Sequence, residues 1–235
     1  MRVGAILGAM ILPATGLVAQ EFGLPAGCTA YLTVQNQSCA VEHHFTCEGD
    51  ADGTQRRVSF SEDGMTYMGQ IDAETQWLQS YQPLSGYTEV LESNPQDRAS
   101  FSGLIATGVD TYDFQTRSAE IGTTRYVGRD TLTGQRVEID GVMLEETMYN
   151  LSAFAADGTL LWQSEGREYI SRDWRMFLSG KGRVTTPSDS FERDSTPVEF
   201  IFPGEAGFLS TKPKYGCGVM MSAAPALQEF FNDYI

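Results

Sequence analysis

The sequence predicts a mainly β fold, an antiparallel meander that forms a curved half-barrel or a barrel with one or two short helices. Two observations lead to this prediction. The dipeptide Asp-Gly recurs at 52–53, 63–64, 140–141 and 157–158. It is a strong signal for a tight hairpin, because the two central residues of that turn have positive φ. The segments between these turns are rich in Val, Ile, Thr, Tyr and Phe, which favour strands.

The positions of the turns predict three hairpins in order. The segment RVSFSEDGMTYMGQI turns at Asp63-Gly64, RVEIDGVMLEETMYNLSAF turns at Asp140-Gly141, and ADGTLLWQS turns at Asp157-Gly158. The segment REYISRDWRMFLSG then continues the meander as one strand. Alternation along that strand places four apolar side chains on one face with Arg172 among them. These four are Ile170, Trp174, Met176 and Leu178.

Helix signals are few. The segment after Asn94 predicts one short helix, with Asn94 as its cap, Pro95 in its first position and Gly108 at its end. AETQWLQSY, around Trp77, fits either a helix or a strand. ALQEFFNDYI, which follows Pro225, fits a short helix or a flexible tail that begins at about residue 222.

Residues 1–19 are typical of a secretory signal peptide. Arg2 gives the positive start, an apolar run follows to Leu12, and small residues precede Gln20. The run is too short to cross a bilayer, and we expect no transmembrane segment. Cleavage would leave a single β-rich domain, 20–235, in the periplasm or outside the cell. LPAGC only faintly matches a lipobox, so we expect no lipid anchor at Cys28.

The charge balance excludes one class of partner. The chain has 16 basic and 31 acidic side chains and a net charge of −15. Loss of the signal peptide would remove Arg2 and make the balance one charge more negative. Such a surface repels phosphate backbones, so we expect no nucleic-acid partner.

The four cysteines predict two disulfides, since thiols pair in the oxidising compartment that an exported chain enters. They are Cys28, Cys39, Cys47 and Cys217, and three pairings are possible. We favour Cys28 with Cys39 and Cys47 with Cys217, because the second bond would tie the two ends of the fold together.

The stretch CAVEHHFTC holds both histidines, His43 and His44, which are weak candidates for metal ligands. Structural zinc sites usually have cysteines two to four residues apart, whereas seven residues separate Cys39 from Cys47. Adjacent residues of a strand point to opposite faces, so the two imidazoles would not share one ion. We predict one packed and one solvated histidine, no metal and no cofactor.

The run that follows mimics part of a calcium-binding loop. Glu48, Asp50, Asp52 and Gly53 match the early positions of an EF-hand, but Ser59 stands where the bidentate Glu is required. We therefore expect a plain solvated turn.

No catalytic residue is predicted. The chain lacks Gly-x-Ser-x-Gly, His-Glu-x-x-His and a phosphate-binding glycine loop. The only bases of the usual type are His43 and His44. Carboxylate pairs such as Glu145-Glu146 arise by chance in so acidic a chain.

The segment GREYISRDWRMF is the candidate binding segment, with Tyr169, Arg172, Trp174 and Arg175. Arginines among aromatic rings at the mouth of a cavity would clamp an anion or a carboxylate. The alternative is a set of cross-strand ion pairs. Arg172 in particular must find a partner if it lies on an apolar face.

Two resemblances bear on fold and function. WRMFLSG together with VEFIFPGEAGFLSTKPKYGCG resembles uncharacterised exported proteins of proteobacteria over most of the mature chain, which implies export and no particular activity. The signal peptide, meander and long final strands are distantly similar to the lipoprotein-carrier half-barrel superfamily. That likeness is architectural, and the opening helix of those carriers is not evident here.

Two hypotheses on function follow. In the first, a non-catalytic envelope protein binds an apolar small molecule or an envelope protein partner. It requires a cavity lined by Phe, Tyr and Met with few titratable groups. In the second, a hydrolase uses His43, His44 or a carboxylate pair in a cleft that perturbs their ionisation. A filled core would leave a structural or interaction module. We favour the first because the catalytic inventory is poor.

Overall fold

The computed structural model describes residues 20–218, which form fourteen strands and one short helix. The predicted signal peptide, the tail from about 222 and the helix after Pro225 lie outside the described residues. The elements are β1 (Cys28–Asn36), β2 (Ala40–Cys47), β3 (Gln55–Ser61), β4 (Gly64–Ile71), β5 (Trp77–Gln82), β6 (Tyr87–Leu91), α1 (Phe101–Thr107), β7 (Val109–Ser118), β8 (Gly122–Ile139), β9 (Val142–Ala155), β10 (Leu160–Ser171), β11 (Met176–Leu178), β12 (Lys181–Thr185), β13 (Ser190–Asp194) and β14 (Pro197–Ile201).

All the strands belong to one antiparallel sheet. From β1 to β10 each strand pairs with the next one in the sequence, β12 and β13 extend one edge, and β14 returns to pair with β1 at the other edge. The short β11 pairs with β10 outside this path. The edge strands β13 and β14 do not pair, so the sheet is open. The predicted mainly β, antiparallel meander is confirmed.

The sheet is strongly curled. Seven strand spacings separate β3 from β10, about 34 Å in a flat sheet. Nevertheless the charge of Arg57 on β3 acts on the carboxyl group of Glu168 on β10. The two edges also converge at one corner, because only Ser195 and Thr196 connect β13 to β14. The sheet therefore has a concave inner face, on which Arg57 and Glu168 lie, and a convex outer face.

The predicted hairpins are present at all three turns. The clearest is the link between β8 and β9, where both Asp140 (φ 47°) and Gly141 (φ 75°) have positive φ. Asp140 also accepts a hydrogen bond from the backbone N–H of Phe200 on the edge strand β14, at 2.8 Å. The tip of this long hairpin thus protects an edge of the sheet.

The prediction of one strand through REYISRDWRMFLSG was wrong. The strand ends at Ser171, and after a turn β11 folds back on β10 in the pairs Tyr169 with Leu178 and Ser171 with Met176. The Ser171 hydroxyl accepts a hydrogen bond from the N–H of Trp174, and Arg175 has a φ of 47°. Serine at the start of a four-residue turn favours this geometry. Arg172 therefore lies on an exposed turn, not on an apolar face.

The helix is present, but its predicted start was wrong. It begins at Phe101, and the Ser100 hydroxyl caps it by accepting a hydrogen bond from the N–H of Gly103 at 3.0 Å. Asn94 lies in the preceding loop with a φ of 61°. Gly108 ends the helix in the left-handed conformation, as predicted. The segment around Trp77 is a strand, β5.

Apolar side chains pack at the ends of the curl, on its outside and, around Phe114, Tyr126 and Ala153, on its inner face. Phe101 and Leu104 of α1 pack on Ile170 of β10 and so cover the inner face at one end. A second cluster joins Leu144, near the tip of the β8–β9 hairpin, to Leu32 on β1. Among residues 20–218, no helix has the length and apolar character needed to cross a membrane.

The third cluster lies on the outer face of β1 to β4. Phe45 and Val58 are buried there beneath Phe22 and Leu209. The covering chain consists of residues 20–27 and 202–218, which are joined where the N–H of Phe22 donates to the carbonyl of Leu209 at 2.8 Å. Both terminal segments of the described chain therefore shield the same apolar surface.

The disulfides join Cys28 to Cys47 and Cys39 to Cys217, so the favoured pairing was wrong. The reason is the register of one hairpin. Cys28 and Cys47 face each other directly on β1 and β2, whereas Cys39 lies at the turn. The length of β1 puts Cys28 about 26 Å from that turn. The turn is thus free to hold Cys217, and a side chain at Gly216 would collide with the carbonyl of Gln37.

Removing the Cys39–Cys217 bond should destabilise the protein more than removing the other disulfide. Cys39→Ser/Cys217→Ser opens a loop with a sequence separation of 178, against 19 for Cys28→Ser/Cys47→Ser. The chain-entropy relation gives losses of about 5 and about 3 kcal/mol in the free energy of unfolding. Chemical denaturation of the two double variants beside the wild type measures both losses. An equal or larger loss in the Cys28/Cys47 variant would contradict this account.

Candidate functional site

The two histidines lie back to back on β2. His43 points outward beneath the terminal segments, stacks on Phe22 with ring centroids 5.7 Å apart, and is fully buried. Its Nδ1 lies 2.9 Å from the hydroxyl of Thr33, which accepts a hydrogen bond from the N–H of Leu209. Burial lowers the pKa of His43 to about 4. His43 is therefore a neutral part of the outer core.

His44 points to the inner face and is also buried, at 5 % exposure. The prediction of one solvated histidine was wrong, because the sheet curls round one side of β2 and the terminal segments cover the other. The expectation that the imidazoles face opposite ways is confirmed. Burial lowers the pKa of His44 more than the nearby Glu42 carboxylate raises it.

Glu42, His44 and Arg57 form a polar group on the inner face. Glu42 lies 3.7 Å from the Nε2 of His44 and 3.7 Å from the guanidinium of Arg57, so it acts through charge more than through a hydrogen bond. Burial alone would raise the pKa of Glu42, but the charges of Arg57 and of its neighbourhood lower it to about 2. Glu42 and Arg57 are thus an ion pair on the inner face.

Tyrosines cover glycines along this face. The ring of Tyr67 lies on Gly69 and that of Tyr112 lies on Gly128, where a Cβ would collide with each ring. The guanidinium of Arg57 sits 4.7 Å from the centroid of Tyr67. An aromatic ring that rests on a strand glycine compensates for the missing side chain. The inner face is consequently lined by flat phenol rings.

Two carboxyl groups of the inner face have few interactions that offset the cost of burying their charge. Asp130 on β8 and Glu168 on β10 make no hydrogen bond within the described chain. Burial, followed by the charges of Glu168 and Asp110, raises the pKa of Asp130 to about 8. Burial also raises the pKa of Glu168 to about 7, although Arg193 and Arg57 act against it.

The interior is accessible to water. Arg57, Tyr67 and Glu168 lie deep inside the protein, yet each keeps accessible surface, and for Arg57 it is 32 % of the side chain. Side chains that are surrounded by protein and still touch solvent border an internal space. The inner face therefore borders a polar space at these residues, whereas farther along β7 to β9 it carries a buried apolar cluster of Phe114, Tyr126 and Ala153.

The predicted binding segment is dispersed. The guanidinium of Arg172 donates two hydrogen bonds of 2.8 Å to Glu145. Arg175 donates to Glu74 at 2.8 Å, and Tyr169 packs on the cluster around Leu144. For the arginines the structure has the ion pairs that were the alternative to an anion clamp. Binding by any of these residues stays a prediction.

Trp174 and Arg175 do border an external cleft of about 500 Å³. Its other wall includes Tyr31 and the acidic turn with Glu48 and Asp52, the segment that resembles a calcium loop. Asp50 of this turn is held by Arg56, with both guanidinium hydrogen bonds at 2.6–2.7 Å. The turn is thus braced internally, as a plain turn would be.

Sequence reasoning missed the inner-face residues. Arg57, Tyr67 and Glu168 lie in segments that were predicted as strands, whereas no strand was predicted over Tyr112 or Asp130. A partial signal was present on β4, where the phase of Tyr67 also carries Gly69. Alternation alone does not say that this phase faces a lumen.

Comparisons with protein families, curated proteins and solved structures found no match to this chain. The resemblances to exported proteobacterial proteins and to lipoprotein carriers accordingly stay predictions.

His43 should make the protein less stable as the pH falls from 6.5 towards 4. The folded pKa of about 4 lies below the ordinary value of 6.5, so the unfolded chain binds more protons in this range. At pH 5 the resulting loss of unfolding free energy relative to pH 7 is about 2 kcal/mol. In His43→Gln this part of the loss should vanish, which denaturation at the two pH values measures.

Thr33→Val is the matched control. It removes the hydroxyl beside Nδ1 but keeps the imidazole, so its stability should be lower at both pH values while the pH dependence remains. An unchanged pH dependence in His43→Gln would show that His43 is not the group responsible.

Proposed function

We propose that this protein is a non-catalytic, exported binding protein that holds a polar small molecule in the lumen of its curled sheet. The observation that carries the proposal is the water-accessible inner face, where tyrosine rings alternate with isolated charged groups. Concave surfaces with a few convergent polar groups are the usual form of a ligand site.

The two disulfides support a site of action outside the cytoplasm. They are typical of chains that mature in an oxidising compartment outside the cytoplasm. Together with the signal peptide predicted for residues 1–19, they favour the periplasm or secretion.

The nature of the lining favours a polar ligand over the apolar one expected from the sequence. An apolar carrier needs a wall with few titratable groups, whereas Glu42, Arg57, Asp130 and Glu168 all belong to this wall. A fatty chain would leave these charges buried without partners, which is costly. The apolar part of the inner face, around Phe114, Tyr126 and Ala153, is already buried within the chain.

A histidine hydrolase fits the geometry poorly. His43 lies in the outer core, and the Nε2 of His44 has no hydrogen-bond partner in the described chain. A nucleophile would have to lie within hydrogen-bond reach of that nitrogen.

The raised pKa values of Asp130 and Glu168 favour one alternative, acid–base catalysis by this pair of carboxyl groups. A binding protein releases its ligand unchanged, whereas an enzyme releases product. The mass of the bound molecule therefore separates the two functions.

The test is native mass spectrometry of protein recovered from its own host. We expect an organic adduct that is released on denaturation and is absent from Tyr112→Ala, which removes a ring from the wall. The matched control is Tyr81→Ala, because Tyr81 is a 37 % exposed tyrosine on the outer face. A wild-type protein without an adduct, or equal loss of adduct in both variants, would refute the proposal.

A further inference from the structure

We propose that the ligand of the lumen is an organic cation, a protonated amine that is held by Asp130 and Glu168 beside the ring of Tyr112. This inference rests on the proposed function and adds the chemical class of the ligand. We call the wall formed by Asp110, Asp130, Thr147 and Glu168 the acidic wall.

The first argument is the charge of the acidic wall. Asp110 and Asp130 are direct cross-strand partners on β7 and β8, an arrangement that repels when both are ionised. Asp110 accepts a hydrogen bond from the N–H of Ser100 at 2.8 Å, but Asp130 has no such donor. A buried carboxylate without a partner is strongly destabilising. The wall therefore lacks a positive countercharge at Asp130.

The nearby cations do not fill this need. Arg57 is paired with Glu42 and lies over the ring of Tyr67. Arg193 and Arg57 act on Glu168 by charge, without a hydrogen bond to it in the described chain. The Glu168 carboxyl group thus keeps its hydrogen-bond capacity for another donor.

The second argument is an unsatisfied hydroxyl group in the same wall. Thr147 faces Glu168 directly across β9 and β10 and faces Leu132 across β8. It is completely buried, and its Oγ1 has no hydrogen-bond partner within residues 20–218. Such an atom costs free energy unless a partner arrives. An ammonium group, with three N–H donors, would satisfy Thr147 and a carboxylate together.

The third argument is the aromatic surface. Tyr112 lies flat on Gly128, and the charges of Asp130 and Glu168 act on its hydroxyl group, so it lies beside the acidic wall. Ring faces attract cations, and the inner face already has one such contact between Arg57 and Tyr67. Carboxylates next to a ring face are the ordinary surroundings of a bound amine.

The spacing favours an organic cation over a metal ion. Within the described chain, only one group of three candidate ligands has its donor atoms all within 4.8 Å of one another, namely Cys39, Glu62 and Cys217. Two of these form a disulfide. The three carboxyl groups of the acidic wall do not form such a group, and a small metal ion needs several ligands at once, whereas an amine can be held by one or two carboxyl groups and a ring face.

The experiment uses three probes of one size, butylammonium, butanol and butyrate, at constant ionic strength. Thermal unfolding of the full chain measures binding as a saturable rise in Tm. We expect butylammonium alone to raise the Tm of the wild type. Stabilisation by butanol or butyrate to the same extent would overturn the inference.

The variants are Asp130→Asn and Glu168→Gln, with Glu165→Gln as the matched control on the outer side of β10. We expect the affinity for butylammonium to fall about tenfold or more in the first two, the loss typical of one charged hydrogen-bond partner, and to stay constant in the control. At a pH above about 8, where both carboxyl groups are ionised, both inner variants should be at least as stable as the wild type without probe, because each removes a buried carboxyl charge that has no hydrogen-bond donor. Unchanged affinity in both, or a marked loss of stability, would show that the acidic wall is structural.

The two proposals fail in different ways. If butyrate or butanol binds and Tyr112→Ala abolishes that binding, the lumen is a binding site and the cation assignment is wrong. If no probe binds and the protein from its host has no adduct, the proposed function is wrong as well.

Discussion

The register of the β1–β2 hairpin is the constraint on which the rest of the structure depends. It sets Cys28 opposite Cys47 and leaves Cys39 at the turn, where Cys217 reaches it. That second bond holds residues 202–217 across the outer face, in line with the hydrogen bonds between Gln35 and the backbone at Lys212 and Lys214. The same register divides the two histidines, one beneath these segments and one towards the lumen.

Once the outer face of β1 to β4 is covered, these four strands have an apolar core on their outer side, and their inner side can carry polar groups. The clusters at the helix and at the hairpin tip close the ends. Part of the inner face between them is polar, and the ion pair of Glu42 and Arg57 lies there. Local rules for burial are usually broken where a protein functions. Here they are broken on one continuous surface, across strands that are distant in the sequence.

Turn chemistry was the most reliable guide from the sequence. Asp140-Gly141 sits where two positive φ angles are needed, so the position of that hairpin could be predicted. The end of β10 could not, because the alternation of apolar residues continues through Ser171 and Arg172 while the backbone reverses. The disulfide pairing could in principle have been predicted from the sequence. A hairpin centred near residue 38 pairs Cys28 with Cys47, but pairing from cysteine spacing alone ignores strand direction.

The candidate site could not be predicted from the sequence, for a different reason. Period-two alternation assigns side chains to two faces, but it does not say which face is concave, and curl is a property of the whole sheet. Asp130 and Glu168 lie on the same face of β8 and β10, with only β9 between their strands. Because their pKa values are raised in the folded protein, both carboxyl groups keep their protons into the neutral range. Folding therefore becomes less favourable as the pH rises from about 4 towards 7 and 8. Without a ligand, a bound proton neutralises each of these carboxyl groups. A bound amine would replace that proton.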